Sequence, residues 1–156
     1  MTTTTIDSRT SSTSHIANES NQWADVDHPL FYFDPGFKDF CNKQLDELSK
    51  LQPGWDNGRA PSINRDIIQS VRKFISSLPQ HIATRPMVVP LSSGSVQLEW
   101  HHGRQVLELE FTSPDDVHFL KWDPENDTEE ESTVAVASKD ELVSLIRWFM
   151  EGMLNG

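Results

Sequence analysis

Cysteine is almost absent from this chain. Cys41 stands alone among 156 residues, so no internal disulfide can form and a disulfide-built secreted domain is excluded. Long apolar runs are absent too: none approaches the ~18 residues of a membrane-spanning helix. Basic residues are sparse near the start, where Arg9 is the only Lys or Arg before Lys38. With no apolar h-region there either, the N-terminus reads as neither a signal peptide nor an Arg-rich transit peptide. These absences point to a reducing cytoplasm and no membrane association.

Chemical signatures are missing as well. No GxSxG, P-loop, GxGxxG or HExxH occurs. His101 and His102 are adjacent, and on a strand adjacent side chains point to opposite faces, so they do not share a metal ion. Glu99 with Glu108 or Glu110 resembles an acid/base pair, but an open sheet face offers no enclosure to separate their pKa values. Asp123–Glu131, DPENDTEEE, lacks the Gly and the spacing of a calcium-binding EF-hand loop. No catalytic residue, metal ligand or cofactor site emerges.

What the chain has in excess is negative charge, a formal −11. Such a surface repels phosphate backbones, which argues against direct nucleic-acid binding and suits a basic protein partner. The length is that of one domain. Thr and Ser dominate the start of the chain, which has little to bury. Residues 1–25 are therefore expected to be a disordered tail, and residues 26–156 a single domain. Leu30-Phe31-Tyr32-Phe33 is apolar enough to dock or to form an edge strand.

The stretch Val96–Phe111, VQLEWHHGRQVLELEF, organises the rest. Val96, Leu98 and Trp100 alternate with polar residues, as do Leu107, Leu109 and Phe111, which predicts a β-hairpin with one buried face. With His102-Gly103 as its loop, His101 would face Arg104, Leu98 would face Leu107 and Val96 would face Leu109.

Ahead of the hairpin, Asp34-Pro35 has helix-start chemistry, and Phe37, Phe40, Cys41, Leu45, Leu48 and Leu51 form one stripe ended by Pro53-Gly54. Cys41 lies on that stripe as a buried small hydrophobe. In Gly54–Ile63, GWDNGRAPSI, Gly54, Asn57 and Gly58 can take positive φ and Asp56 can bond nearby amides. Trp55 reads as a plug fixing this turn; a recognition surface of Trp55, Asp56 and Arg59 is the functional alternative. Asn64 caps a second helix carrying Ile67, Val71, Phe74, Ile75 and Leu78. A strand, Met87–Leu91, follows, which Pro90 makes either an edge strand or a strand with a bulge.

Beyond Phe111, Ser113-Pro114-Asp115-Asp116 is expected as a four-residue loop into Val117–Trp122. Phe111 would then face His118 and Leu109 would face Leu120. That sends His118 to the core side and puts Val117 and Phe119 outside beside Val106. The six carboxylates of Asp123–Glu131 read as a solvated connection, Thr133–Ala137 as a last strand, and Ser138 with Glu141 as the start of a C-terminal helix. The expected fold is α+β: two N-terminal helices, an antiparallel meander of about five strands, and a C-terminal helix packed on one sheet face.

GWDNGRAPSIN, read with GSVQLEW, resembles a family of small uncharacterised bacterial proteins with a G-W-D-G-x-x-A-P-type turn and a G-x-x-x-L-E-W strand. Gly54, Trp55, Asp56, Ala60 and Pro61 match the first part, and Gly94, Leu98, Glu99 and Trp100 the second. Asn57 departs from the usual Gly, and Asn64 from the usual Ser cap. The resemblance spans roughly residues 37–150 and implies a bacterial or phage cytosolic protein, with no activity, cofactor or ligand attached.

The functional expectation is a non-catalytic acidic interaction protein, an accessory, antitoxin-like or inhibitory subunit. Its expected partner-binding residues are Val106, Val117, Phe119, Glu99, Glu108 and Glu110 on the outer sheet face, with Trp55, Asp56 and Arg59 in the turn. A few desolvated apolar anchors ringed by charge would dominate such an interface. An acidic DNA-mimic inhibitor of a nucleic-acid-binding protein is the alternative. An enzyme without a recognisable motif is the third reading, and it needs a deep pocket holding His118 and two carboxylates.

Overall fold

A computed structural model describes residues 34–79 and 84–155. The expected tail, and the Leu30–Phe33 segment with it, lie outside those residues. The described chain is α+β: helices α1 (Phe37–Ser49) and α2 (Arg65–Ser77), strands β1 (Met87–Pro90), β2 (Val96–His102), β3 (Gln105–Phe111), β4 (Asp116–Asp123) and β5 (Thr128–Ala135), and helix α3 (Lys139–Asn155). The strands form one antiparallel sheet in the order β1-β2-β3-β4-β5.

Helix α1 begins later than Asp34 suggests. Gly36 holds the N-cap position without a side-chain cap. Asp34 sits two residues ahead, where its Oδ1 accepts from the Gly36 N–H at 2.9 Å and its carboxylate pairs with Arg85. That guanidinium holds the Asp34 carboxyl below its ordinary pKa. Phe37, Cys41, Leu45 and Leu48 are the buried stripe of α1. Helix α2 starts where the sequence places it: Asn64 Oδ1 accepts from the N–H groups of Asp66 (2.8 Å) and Ile67 (3.3 Å), the bonds an N-cap supplies.

Between these helices the Trp55 turn is built from its own side chains. Gly54 (φ 84°) and Asn57 (φ 62°) take left-handed backbone, whereas Gly58 does not. Asp56 Oδ1 accepts from Gly58 N–H at 2.9 Å and Ala60 N–H at 3.2 Å, and the Trp55 indole donates to the Pro61 carbonyl at 3.0 Å.

The hairpin loop is Gly103-Arg104, one residue later than expected. His102 pairs with Gln105, Trp100 with Leu107, Leu98 with Leu109 and Val96 with Phe111. Gly103 has φ 59° while Arg104 keeps ordinary backbone, which suits a turn with Gly at its first central position. The shift of partners is two residues, so the faces are preserved, and Leu98, Trp100, Leu107 and Leu109 all lie in the core. The Trp100 indole donates to the Thr84 carbonyl at 3.1 Å.

The β3–β4 register differs by one residue, and one residue inverts a strand. Thr112 N–H donates to the Asp116 carbonyl, closing a loop of three residues, not four. Ser113 Oγ tightens it, accepting from the N–H groups of Asp115 (3.1 Å) and Asp116 (3.0 Å). Phe111 therefore faces Val117 and Leu109 faces Phe119. Val117 (0% exposed) and Phe119 (4%) are core residues, which corrects their expected place outside. His118, Leu120 and Trp122 take the outer face. Lys121 moves inward, where its Nζ lies 4.9 Å from the Trp148 ring centroid and 2.9 Å from Glu130.

The acidic run is shorter as a connection than expected. Asp123 pairs with Thr128 across a four-residue turn, its carboxylate accepting from Glu125 N–H (2.9 Å) and Asn126 Nδ2 (2.8 Å). Glu129, Glu130 and Glu131 belong to β5, an edge strand, where charge guards an open edge against pairing. Buried residues of all three helices join the inner face of the sheet in a single core that includes Phe74, Phe111, Trp100, Ile146 and Phe149. No helix among the described residues is long and apolar enough to cross a membrane.

Candidate functional site

The inner face of the sheet is core, and the other face is the candidate site. Pairing and pleat place its residues in three cross-strand rows. The first runs His101, Val106, Trp122, Glu129. The middle row is Met87, Glu99, Glu108, Leu120, Glu131. The third is Val89, Gln97, Glu110, His118, Thr133. Five carboxylates and no Lys or Arg share this face with five apolar side chains. Met87 is 54% exposed, the one exposed large hydrophobic residue among those described.

Several of the acids are held in place. Glu99 accepts from Gln97 Nε2 at 2.8 Å and lies 3.4 Å from His101 Nε2. Glu110 accepts from Ser95 Oγ at 2.8 Å, and His118 stands 3.9 Å from Glu131. Glu108 occupies the centre, directly opposite Glu99. Partial burial, and next the Glu99 charge, push its carboxyl above the ordinary value, against a smaller opposing pull from His101. His118 thus meets two carboxylates, Glu110 across the register and Glu131, on an open sheet face and not in a pocket. That arrangement can bind through charge and apolar contact, but it gives no enclosure for acid/base work.

Of the residues expected to bind a partner, the structure brings Val106, Glu99, Glu108 and Glu110 together on this face. Val117 and Phe119 are on the opposite side, inside the core. Trp55 also packs against that core, so the Trp55, Asp56 and Arg59 turn is not contiguous with the outer face. Sequence reasoning missed Met87, Val89, Leu120, Trp122, His118, Glu129 and Glu131. The signal available for β4 was ambiguous, because both alternating sets of Val117–Trp122 are largely apolar.

A second feature lies at the other end of β3. A cleft of about 410 Å³ opens between the β2–β3 tip (residues 102–105), the start of the β4–β5 turn (residues 123–125) and the last turns of α3, a size usual for small-molecule sites. Gln105 lines it and is 6% exposed, and its Oε1 has no hydrogen-bond partner. Above it stands Gly152: a Cβ there would lie 2.1 Å from Gln105 Nε2. An orphaned buried acceptor costs about 1–3 kcal/mol, and a helix glycine costs about 1 kcal/mol relative to alanine. Both costs fall at one spot. Nothing in the sequence pattern singles out Gln105. No group of His, Cys, Asp and Glu among the described residues is arranged to hold a metal ion.

Comparison of the chain with protein-family models, with curated proteins and with solved structures finds no match.

Proposed function

We propose that this protein is a non-catalytic interaction protein, cytoplasmic, that captures a protein partner on the outer face of its sheet. One observation carries the reading: Met87, Val89, Val106, Leu120 and Trp122 lie on one face, interleaved with five carboxylates and with no Lys or Arg among them. Apolar side chains gathered on an open face mark interaction sites, and the sign of the charge between them calls for a basic partner. An accessory, antitoxin-like or inhibitory subunit of a bacterial system fits both this face and the resemblance of the GWDNGRAPSIN and GSVQLEW stretches.

The test is capture by immobilised protein, comparing the natural sequence with Leu120→Asp combined with Trp122→Ser. Retention of a basic partner should fall at least tenfold in a variant that still melts cooperatively. Equal retention by the two proteins would overturn the reading. A second reading, an acidic mimic of a nucleic-acid backbone, draws support from Glu129 and Glu131, which β5 fixes on the same outer face.

A further inference from the structure

We propose that the free edge of β5 takes up an extended, Arg- or Lys-rich segment of the protein partner as an added antiparallel strand. This deepens the partner-binding reading and rests on it for the existence of a basic partner. The open backbone groups follow from the ladder. Val136 N–H donates to the Asp115 carbonyl at 2.8 Å, and the β4–β5 register continues from that pair. Bonded pairs recur at every second residue of an antiparallel ladder. Thr128, Glu130, Ser132 and Val134 therefore turn their backbone groups to β4, and Glu129, Glu131 and Thr133 turn theirs away. Ala135, at the end of the strand, has its carbonyl occupied by Ser138 N–H. No further strand lies beyond β5 among the described residues. The N–H and C=O groups of Glu129, Glu131 and Thr133 thus line an edge without ladder partners, on a strand exposed everywhere except Val134.

Edges that stay unpaired are closed to every comer by proline, by a bulge or by brevity. The other edge strand, β1, has four residues and ends in Pro90. Strand β5 has eight residues without proline or glycine, and its pairing runs unbroken from Asp116↔Ala135 to Asp123↔Thr128. Its inward charge, Glu130, is answered by Lys121 at 2.9 Å. What guards β5 is the sign of Glu129 and Glu131 on the outer side. That guard excludes an acidic strand, since like charges directly opposite each other are destabilising. A strand with Arg or Lys at alternate positions turns the repulsion into attraction, and the main-chain bonds of an added strand supply affinity. Its basic side chains would stand opposite Glu129 and Glu131, on the face that Trp122 and Leu120 share. The added strand therefore widens the partner-binding surface and does not compete with it.

The experiment titrates the full chain with the capped peptide Thr-Arg-Val-Arg-Val-Arg-Thr, read by amide chemical shifts and isothermal calorimetry. Saturable shifts centred on Glu129, Glu131 and Thr133 are expected. Two N-methylated forms of the peptide, identical in charge, separate strand addition from mere attraction. Methylating the arginine nitrogens blocks the amides that would meet β5, and binding should fall at least about tenfold, the worth of one or two hydrogen bonds. Methylating the valine nitrogens, which would point to solvent, should leave affinity within about twofold, because those amides make no bond to lose. Three results would overturn the proposal: no saturable binding of the parent peptide, shifts spread over the whole acidic surface, or equal loss from the two methylation patterns. The peptide assay needs no native partner, so its failure removes the edge alone. Partner capture by Leu120→Asp with Trp122→Ser tests the face separately.

Discussion

Glu108 shows how one side chain reports its surroundings. Its carboxyl is raised because ionising it means placing charge in a partly buried position opposite Glu99. A raised carboxyl binds its proton more tightly folded than unfolded. The fold therefore loses stability as pH climbs from the unfolded value, about 4.5, through the raised one. Glu108→Gln removes that penalty. It should melt at or above the natural protein at pH 7, with the difference vanishing below about pH 4, where both states are protonated. Thermal melts across that range check the sign; a variant that melts lower at pH 7 would mean Glu108 is favourably paired. Trp100→Ala is the contrast. Its ring is buried and its indole bonded to Thr84, so about 3–5 kcal/mol should be lost. At this scale the sequence is legible where a side chain obeys a pattern. Trp100 and Leu98 do so by alternation, and Cys41 by its helical stripe, where burial pushes the thiol up to about 12 and leaves it inert. Gln105 obeys none, because its significance arises only when Gly152 of a distant helix stands over it.

Elements were legible when each carried its own boundary chemistry. Asn64 announces α2 because its side chain bonds the first amides, and Gly54 with Asn57 announces the turn before it. Strand β4 shows what hydrophobic pattern leaves open. Val117 and Phe119 on one parity are matched by Leu120 and Trp122 on the other, so the length of the β3–β4 loop alone decides which pair is buried. Ser113 decides it by gathering two amides into a three-residue loop, a detail of hydrogen bonding invisible to periodicity. The β2–β3 loop lies one residue later than alternation places it, without consequence for the faces, since the partners differ by two. Reversing β4 relocates half of the candidate surface, and mutagenesis can see the reversal. Val117→Asp with Phe119→Asp buries two charges and should abolish cooperative folding. The pair Leu120→Asp and Trp122→Ser should leave a cooperative transition. If the first variant folded and the second did not, the register of β4 would be inverted.

At the scale of the whole molecule, the described chain divides its surface between helices over one sheet face and a bare acidic face opposite. Five carboxylates of a chain with formal charge −11 stand on that bare face. Composition made the charge legible but not its placement, because Asp123–Glu131 reads as a loop while its last three acids belong to a strand. Two kinds of partner recognition then differ in their response to salt. An interface anchored by Leu120, Trp122 and Val106 is driven by apolar burial, which salt does not screen, so charge there affects mainly the rate of encounter. A mimic of a phosphate backbone works through exposed charges, and those are screened within about 10 Å at 0.1 M salt. Raising salt from 0.05 to 0.5 M should therefore slow association but leave the dissociation rate of the captured partner within about threefold of its low-salt value, as rim charges act on encounter. Glu129→Gln, Glu130→Gln and Glu131→Gln together should likewise reduce association and spare dissociation. Surface plasmon resonance on the purified pair resolves both rates. A complex that dissociates far faster at high salt, or that is lost in the triple variant while surviving Leu120→Asp with Trp122→Ser, would assign recognition to the acidic edge strand and not to the apolar side chains of the face.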